Sequence, residues 1–218
     1  MKFINLHTHQ YTNQVHILEI VNQYPNEFDA TIPNFSVGIH PWKINFENLA
    51  NDLQIIEEKL QHDNCMALGE CGLDKRIETS LEIQIEIFEK QLFLAQKYNK
   101  PVILHCVAAF QEIITIKKRM NVEVPMIIHG FSKNLQTAMQ LLENGFYISL
   151  GKYLLQNPDL ELVFKEIPND RFFLETDSSN YTIEEVYALA AKYKNMEIEK
   201  LKEFVNTNFK TVFKTHNL

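Results

Sequence analysis

Short, evenly apolar runs alternate with amphipathic segments along the whole chain. The runs Phe3–Leu6, Val15–Val21, Phe35–Ile39, Met66–Leu68, Val102–Leu104, Met126–Ile128, Phe146–Leu150 and Phe172–Leu174 read as strands. Several are too short and too uniformly apolar for half-exposed strands, which predicts burial on both faces. Helical periodicity fills the intervals. Leu49, Leu53, Ile56 and Leu60 share one face, as do Leu81, Ile85, Phe88, Leu92 and Ala95. Leu135, Ala138, Met139 and Leu142 line another, started by Ser132 and stopped before Gly145. Thr182 with Glu185 reads as a capping box ahead of Val186, Leu189, Ala190 and Tyr193, and a last amphipathic stretch runs from Ile198 to Phe213.

Strands that alternate with helices and are buried on both faces predict an α/β fold, a (β/α)8 TIM-type barrel. The chain is short for that fold. The connections Gln10–Gln14 and Asn22–Asn34 are too short or too polar for full helices, so the first helices are expected to be reduced. No linker, repeat or low-complexity tract interrupts residues 1–218, and a single domain is expected.

Composition narrows the chemistry. The 218 residues include only 6 glycines, where average usage would give roughly 15. That scarcity argues against glycine-rich phosphate loops and dinucleotide-binding turns. A net charge of −7 gives no general pull towards nucleic acid, and Arg76, Arg119 and Arg171 are the only arginines. Any nucleic acid would therefore be held locally, through metal ions. Cys65, Cys71 and Cys106 form no C-x-x-C pair and fit free thiols in a reducing compartment. The N-terminus does not read as a signal peptide, and no apolar run approaches the roughly 18 residues that span a bilayer. These features predict a cytoplasmic protein with no membrane association and no obligatory protein partner.

The histidines and carboxylates carry the informative pattern. His7 and His9 follow the first strand with one residue between them, so both imidazoles can point to one side. His40, Glu70, His105, His129 and Asp177 each follow a further strand, Asp177 being preceded by Glu175. Strand C-termini of a (β/α)8 barrel are where such folds place their chemistry. One histidine after one strand means little, but independent placement would not put five of the eight histidines there. His16, His62 and His216 read as ordinary. Imidazole with carboxylate suits Zn, Mn, Fe or Ni and tolerates Mg. Four histidines and two carboxylates exceed one four-coordinate ion, which favours two ions sharing a carboxylate and a metal-assisted hydrolysis, most naturally of a phosphoester. Cys71 and Cys106 flank these ligands and read as packing groups.

The ordered motifs INLHTH, GIHPW, ALGECGLD, PVILHC, IIHGFS and LETD resemble those of the TatD-related metal-dependent hydrolases of the amidohydrolase superfamily, which include deoxyribonucleases. Gln84, Phe88 and Gln91 on the helix after ALGECGLD are also similar to that family. The resemblance implies a barrel hydrolase with two divalent ions, Zn, Mg or Mn. By it, His7, His9, Glu70 and Asp177 would hold the first ion, and Glu70, His105 and His129 the second, with Glu70 bridging. Glu70 and Asp177 would be the catalytic carboxylates, Asp177 orienting or deprotonating the attacking water. His40 would contact substrate.

Two departures concern substrate grip. His105-Cys106-Val107-Ala108-Ala109 lacks the arginine and aspartate of the family's H-S-R-D-A, and Ser178-Ser179-Asn180-Tyr181 replaces a proline-rich, arginine-bearing loop. Lys75, Arg76, Lys133 and Lys152 follow strands and are candidate substrate cations, while Phe131 and Trp42 could stack on a base. The expected substrate is DNA, cleaved at phosphodiester bonds. The competing readings are a small-molecule phosphoester or amide on the same barrel, and a non-catalytic metal-binding protein. A polymerase-associated phosphoesterase of the histidinol-phosphatase type would place D-x-H near its end, where Asp177-Ser178-Ser179 stands here.

Overall fold

A computed structural model describes residues 1–214; His216 lies outside them. In chain order the elements are β1 (Phe3–Thr8), β2 (Ile17–Gln23), β3 (Phe35–Val37), α1 (Leu49–Lys59), β4 (Cys65–Asp74), α2 (Leu81–Lys97), β5 (Val102–Val107), α3 (Phe110–Arg119) and β6 (Met126–Ile128). There follow α4 (Leu135–Glu143), β7 (Tyr147–Leu150), α5 (Lys152–Gln156), α6 (Leu160–Glu166), β8 (Phe172–Leu174), α7 (Ile183–Tyr193) and α8 (Ile198–Phe213). The eight strands form one sheet in chain order, and the chain has the expected (β/α)8 TIM-type fold. The early connections are reduced as expected: before α1 only the 3-10 turns Pro25–Glu27 and Pro41–Lys43 occur.

The chain divides into two compact units, Met1–Ile20 with the stretch from Ile128 onwards, and Val21–Ile127. In the first unit, β7 and β8 pair in parallel with Ile148 opposite Phe172 and Leu150 opposite Leu174. β1 meets the segment after β8 through a parallel bridge between Thr8 and Asp177. Its apolar interior includes Ile4, Leu6, Phe146, Ile148, Phe172, Phe173 and Phe209, all buried. Polar strand residues are buried with partners: Asn5 donates to Thr176 Oγ1 at 2.9 Å and accepts the Thr176 N–H at 3.0 Å. The Thr182–Glu185 capping box forms as read from the sequence.

In the second unit β2, β3, β4 and β5 pair in parallel. Phe35, Val37, Leu68, Phe88, Leu92, Ile103 and Ile113 are buried there. β4 is longer than Met66–Leu68 because Gly69 and Gly72 do not end it. Gly72 has φ +142, and a Cβ at that position would collide with the His105 carbonyl, so glycine lets β4 pass close to β5.

Several boundaries differ from the expectations for identifiable reasons. The second strand begins at Ile17 and extends to Gln23: Val15 is 87% exposed in a turn, and the polar Asn22 and Gln23 are buried with hydrogen-bond partners. The third stops at Val37 because the Ile39 N–H and carbonyl are taken by the Gln91 side chain at 2.8 and 3.2 Å. The fourth helix is capped by Asn134, whose Oδ1 accepts the Thr137 N–H at 3.0 Å, and not by Ser132. Phe131 is 2% exposed and belongs to the core, so it offers no face to a base.

Candidate metal centres

In the first unit, three of the expected ligands, His7, His9 and His129, assemble around a fourth, Asp177. The Asp177 N–H donates to the His7 carbonyl at 2.9 Å, and the His9 N–H donates to the Asp177 carbonyl at 3.2 Å. These backbone bonds bring β1 beside the residue that follows β8. The Asp177 Oδ1 atom lies 3.9 Å from His7 Nε2 and 3.5 Å from His9 Nε2. The His7 ring is 5.1 Å from that of His9 and 4.4 Å from that of His129. One donor atom each from His7, His129 and Asp177 fall within 4.8 Å of one another, close enough to converge on a cation.

Glu175 and Lys152 surround this group. Glu175 is fully buried, and its Oε1 accepts the Gly130 N–H at 2.7 Å and lies 3.4 Å from His129 Nδ1. A carboxylate there makes Nδ1 the protonated nitrogen of His129 and leaves Nε2 as its electron-pair donor, the arrangement that orients metal-binding histidines. Lys152 Nζ donates to Asp177 Oδ2 at 2.6 Å. Burial works to raise the Asp177 pKa, but the neighbouring His129 and His7 imidazoles and the Lys152 hydrogen bond prevail and lower it. Gly151 permits the close passage: a Cβ there would stand 2.6 Å from the Glu175 carbonyl oxygen.

In the second unit, His40, Glu70 and His105 form a second group, with one donor atom each within 4.8 Å. His40 Nε2 is 3.1 Å and His105 Nδ1 2.8 Å from Glu70 Oε1. His40 Nδ1 accepts the Trp42 backbone N–H at 3.0 Å, so Nε2 carries the proton of the neutral ring and donates to Glu70. His105 is held differently. Its Nε2 is 3.5 Å from Asp74 Oδ2, which also accepts the Trp42 indole N–H at 2.7 Å. The shorter contact puts the proton on Nδ1, donated to Glu70 Oε1; with the proton on Nε2, against Asp74, Nδ1 would present a lone pair instead. Two electron donors 2.8 Å apart require a proton or a cation between them, and the donor set fits a divalent ion. Asp74 Oδ1 accepts the Arg76 N–H at 2.8 Å; burial works to raise this carboxyl, and its hydrogen bonds lower it.

The Glu70 N–H donates to Asn22 Oδ1 at 2.6 Å, while Gln84 receives the Asp74 N–H at 2.8 Å and returns a bond to the Asp74 carbonyl at 3.0 Å. Gln84 and Gln91 on the inner face of α2 thus pin the backbone at Asp74 and at Ile39, next to His40. Asp74 and Asn22 are the site residues that sequence reasoning missed. Asp74 closes the same G-E-C-G-L-D run as Glu70, four residues on, a signal masked by reading the strand as ended at Leu68. Asn22 offered none, being one polar residue at the end of a strand.

The expected substrate cations are placed as follows. Lys75 is paired with Glu112 at 2.6 Å, the Arg76 side chain is exposed, and Lys152 sits on Asp177. Trp42 is 66% exposed, anchored through its indole nitrogen. Cys71 is buried, its thiol pushed well up by burial and the Glu70 charge, in keeping with a packing role.

The profile of the TatD related DNase family matches residues 1–214. The chain is 30% identical over 214 residues to YabD of Bacillus subtilis strain 168, described as an uncharacterized metal-dependent hydrolase, covering 90% of this chain and 81% of that one. Among solved structures it is similar to YJJV, a TatD homologue of Escherichia coli K12, at a TM-score of 0.84 and 21% identity over 98% of each chain. A hydrolase of the TatD family from Entamoeba histolytica matches at 0.80 and 19% identity, over 97% of this chain and 98% of that one.

Proposed function

The chain belongs to the TatD related DNase family, and from that premise we propose that it is a divalent-metal-dependent hydrolase that cleaves phosphodiester bonds in DNA. The observation that carries this reading is the pair of strand-end groups, each joining imidazole to carboxylate, with the outer nitrogen of His129 and of His105 held by a further carboxylate. One ion is assigned to His7, His9, His129 and Asp177, and a second to Glu70 and His105, where the resemblance alone would give His129 to the second ion and Glu70 to both. Zn, Mn and Mg all suit these donors, since no thiolate takes part.

Bound divalent ions supply Lewis-acid polarisation of a phosphoryl oxygen and an acidified water. The chain's own residues do the rest. Asp177, with Oδ1 on the side of the histidines and Oδ2 on Lys152, accepts the proton of the attacking water. His40 holds a proton at Nε2 against Glu70 and is assigned to a substrate oxygen.

The experiment measures mononucleotide release from single-stranded DNA beside a panel of small phosphoesters and amides, with Mg, Mn and Zn in turn. Asp177→Asn and Glu70→Gln are each expected to cut the rate about 100-fold or more with the thermal midpoint little changed. Full metal-dependent turnover by Asp177→Asn would sink the assignment. A small-molecule phosphoester is the second reading, because Arg119 and Lys75 are both engaged by acidic neighbours, Glu89 and Glu112. Turnover of small phosphoesters without DNA cleavage would select it.

A further inference from the structure

Lys152 places an ammonium on Asp177. It is the first residue of α5, directly after Gly151, and its ammonium lies on Asp177 Oδ2 at 2.6 Å with the side chain 24% exposed. One of its three N–H donors is used there; among the described residues Nζ has no other hydrogen bond. The charges around it are the decisive point. Asp177 and the fully buried Glu175 are the two carboxylates of this group, and His7, His9 and His129 bind a metal ion only as neutral imidazoles. A divalent ion compensates both carboxylates. The Lys152 ammonium is then surplus positive charge beside a second cation, an arrangement that an anion between or next to them stabilises. Tyr153, the next residue, is 37% exposed, with its ring centroid 5.3 Å from Lys152 Nζ. An anion on the ammonium therefore has a partly exposed aromatic ring within reach, one face of it under the ammonium, the pairing that suits a phosphate joined to a base.

We propose that Lys152 and Tyr153 form the nucleotide subsite of this protein, Lys152 binding the phosphate oxygens of the cleaved linkage and Tyr153 stacking on the attached base. The inference rests on the phosphodiester reading above and deepens it, placing the phosphate contact on a lysine after β7 where the arginine-bearing loop after Asp177 is absent. Lysine serves as a compact point charge and can keep one donor on Asp177 while giving another to phosphate.

The test is calorimetric and needs no turnover. Full-length protein loaded with Mn2+ is titrated with inorganic phosphate and with thymidine 5′-monophosphate, and the Mn2+ affinity is measured separately. Lys152→Met should weaken phosphate binding by about tenfold or more, with Mn2+ affinity within about twofold, and Lys152→Arg should restore most of the loss. Tyr153→Ala should leave phosphate binding intact and lose about fivefold for the nucleotide, while Tyr153→Phe matches the native protein. Phosphate binding unchanged in Lys152→Met overturns the proposal, as does a parallel loss of Mn2+, which would make Lys152 only a positioning group for Asp177. Unchanged nucleotide affinity in Tyr153→Ala removes the stacking half. A protein that binds the nucleotide through these residues yet cleaves no DNA overturns the deoxyribonuclease reading and leaves the subsite standing.

Discussion

Replacing Asp74 by Asn separates the two metal groups experimentally. The Asp74 carboxylate receives the Trp42 indole proton at 2.7 Å and the Arg76 N–H at 2.8 Å, and stands 3.5 Å from His105 Nε2. Asparagine keeps one acceptor oxygen, so its NH2 must confront a donor on the other side. The loss is one charge-assisted hydrogen bond, about 1.5–3 kcal/mol, towards the lower end because the exposed indole can return to water. At roughly 2–4 °C per kcal/mol for a chain of this size, the midpoint should fall by about 3–10 °C. The effect on metal is larger relative to its background. His105 keeps at most a neutral amide oxygen in place of the carboxylate beside its Nε2, and changes of this kind cost about 10–100-fold in metal affinity. Asp74 touches only the Glu70–His105 group, so a Mn2+ titration of Asp74→Asn should resolve one weakened and one unchanged ion. Two unchanged affinities in a folded variant, or two equally weakened ones, would refute the reasoning.

Other consequences are simpler to state. The Tyr187 hydroxyl accepts the Ile4 N–H and donates to the Ile4 carbonyl, both at 3.1 Å and fully buried, so Tyr187→Phe should cost about 2–4 kcal/mol in urea unfolding; a loss below about 0.5 kcal/mol would contradict that count. Cys65 and Cys71 are fully buried, with the Cys65 thiol pushed up to about 12 by burial, so Ellman's reagent should modify Cys106 in the native protein and all three thiols only after denaturation. Burial lowers the Lys194 ammonium to about 8, although Glu166 opposes the shift. The unfolded chain then holds a proton that the folded one has released, and stability should rise between about pH 8 and 10. Lys194→Met should flatten that rise, and an unaltered pH slope would rule out Lys194 as its source.

Where local chemistry and global fold agree, the elements were legible. The Thr182–Glu185 box and the Ile198–Phe213 stripe are self-sufficient signals, because a cap or a helical face is decided within one or two turns. The strand ends were harder. Phe35–Val37 stops two residues early because Gln91, more than fifty residues away in sequence, satisfies the Ile39 backbone. Gln84 and Gln91 looked like family decoration on a helix; in the folded chain they are surrogate strand partners, and no periodicity in α2 could announce which backbone groups they would meet.

The same reasoning explains what was hidden in the site. Strand-end histidines could be found because a period of two and a strand terminus are local properties. Their protonation pattern is not local. His40 and His105 both reach Glu70, and the second contact of each ring differs: the Trp42 N–H makes His40 Nε2 a proton donor, whereas Asp74 is an acceptor that can take the His105 proton and free Nδ1. On that difference rests the proposal that His40 meets substrate and His105 metal, although both are strand-end histidines. The Glu175–His129 and Asp74–His105 pairs are equivalent in role, yet one acid lies two residues before Asp177 and the other four after Glu70. An acid close to a ligand in sequence is therefore a better place to look for the group that orients a strand-end histidine than the histidine's own neighbours, because a different strand supplies it: β4 for His105 on β5, and the segment after β8 for His129 after β6.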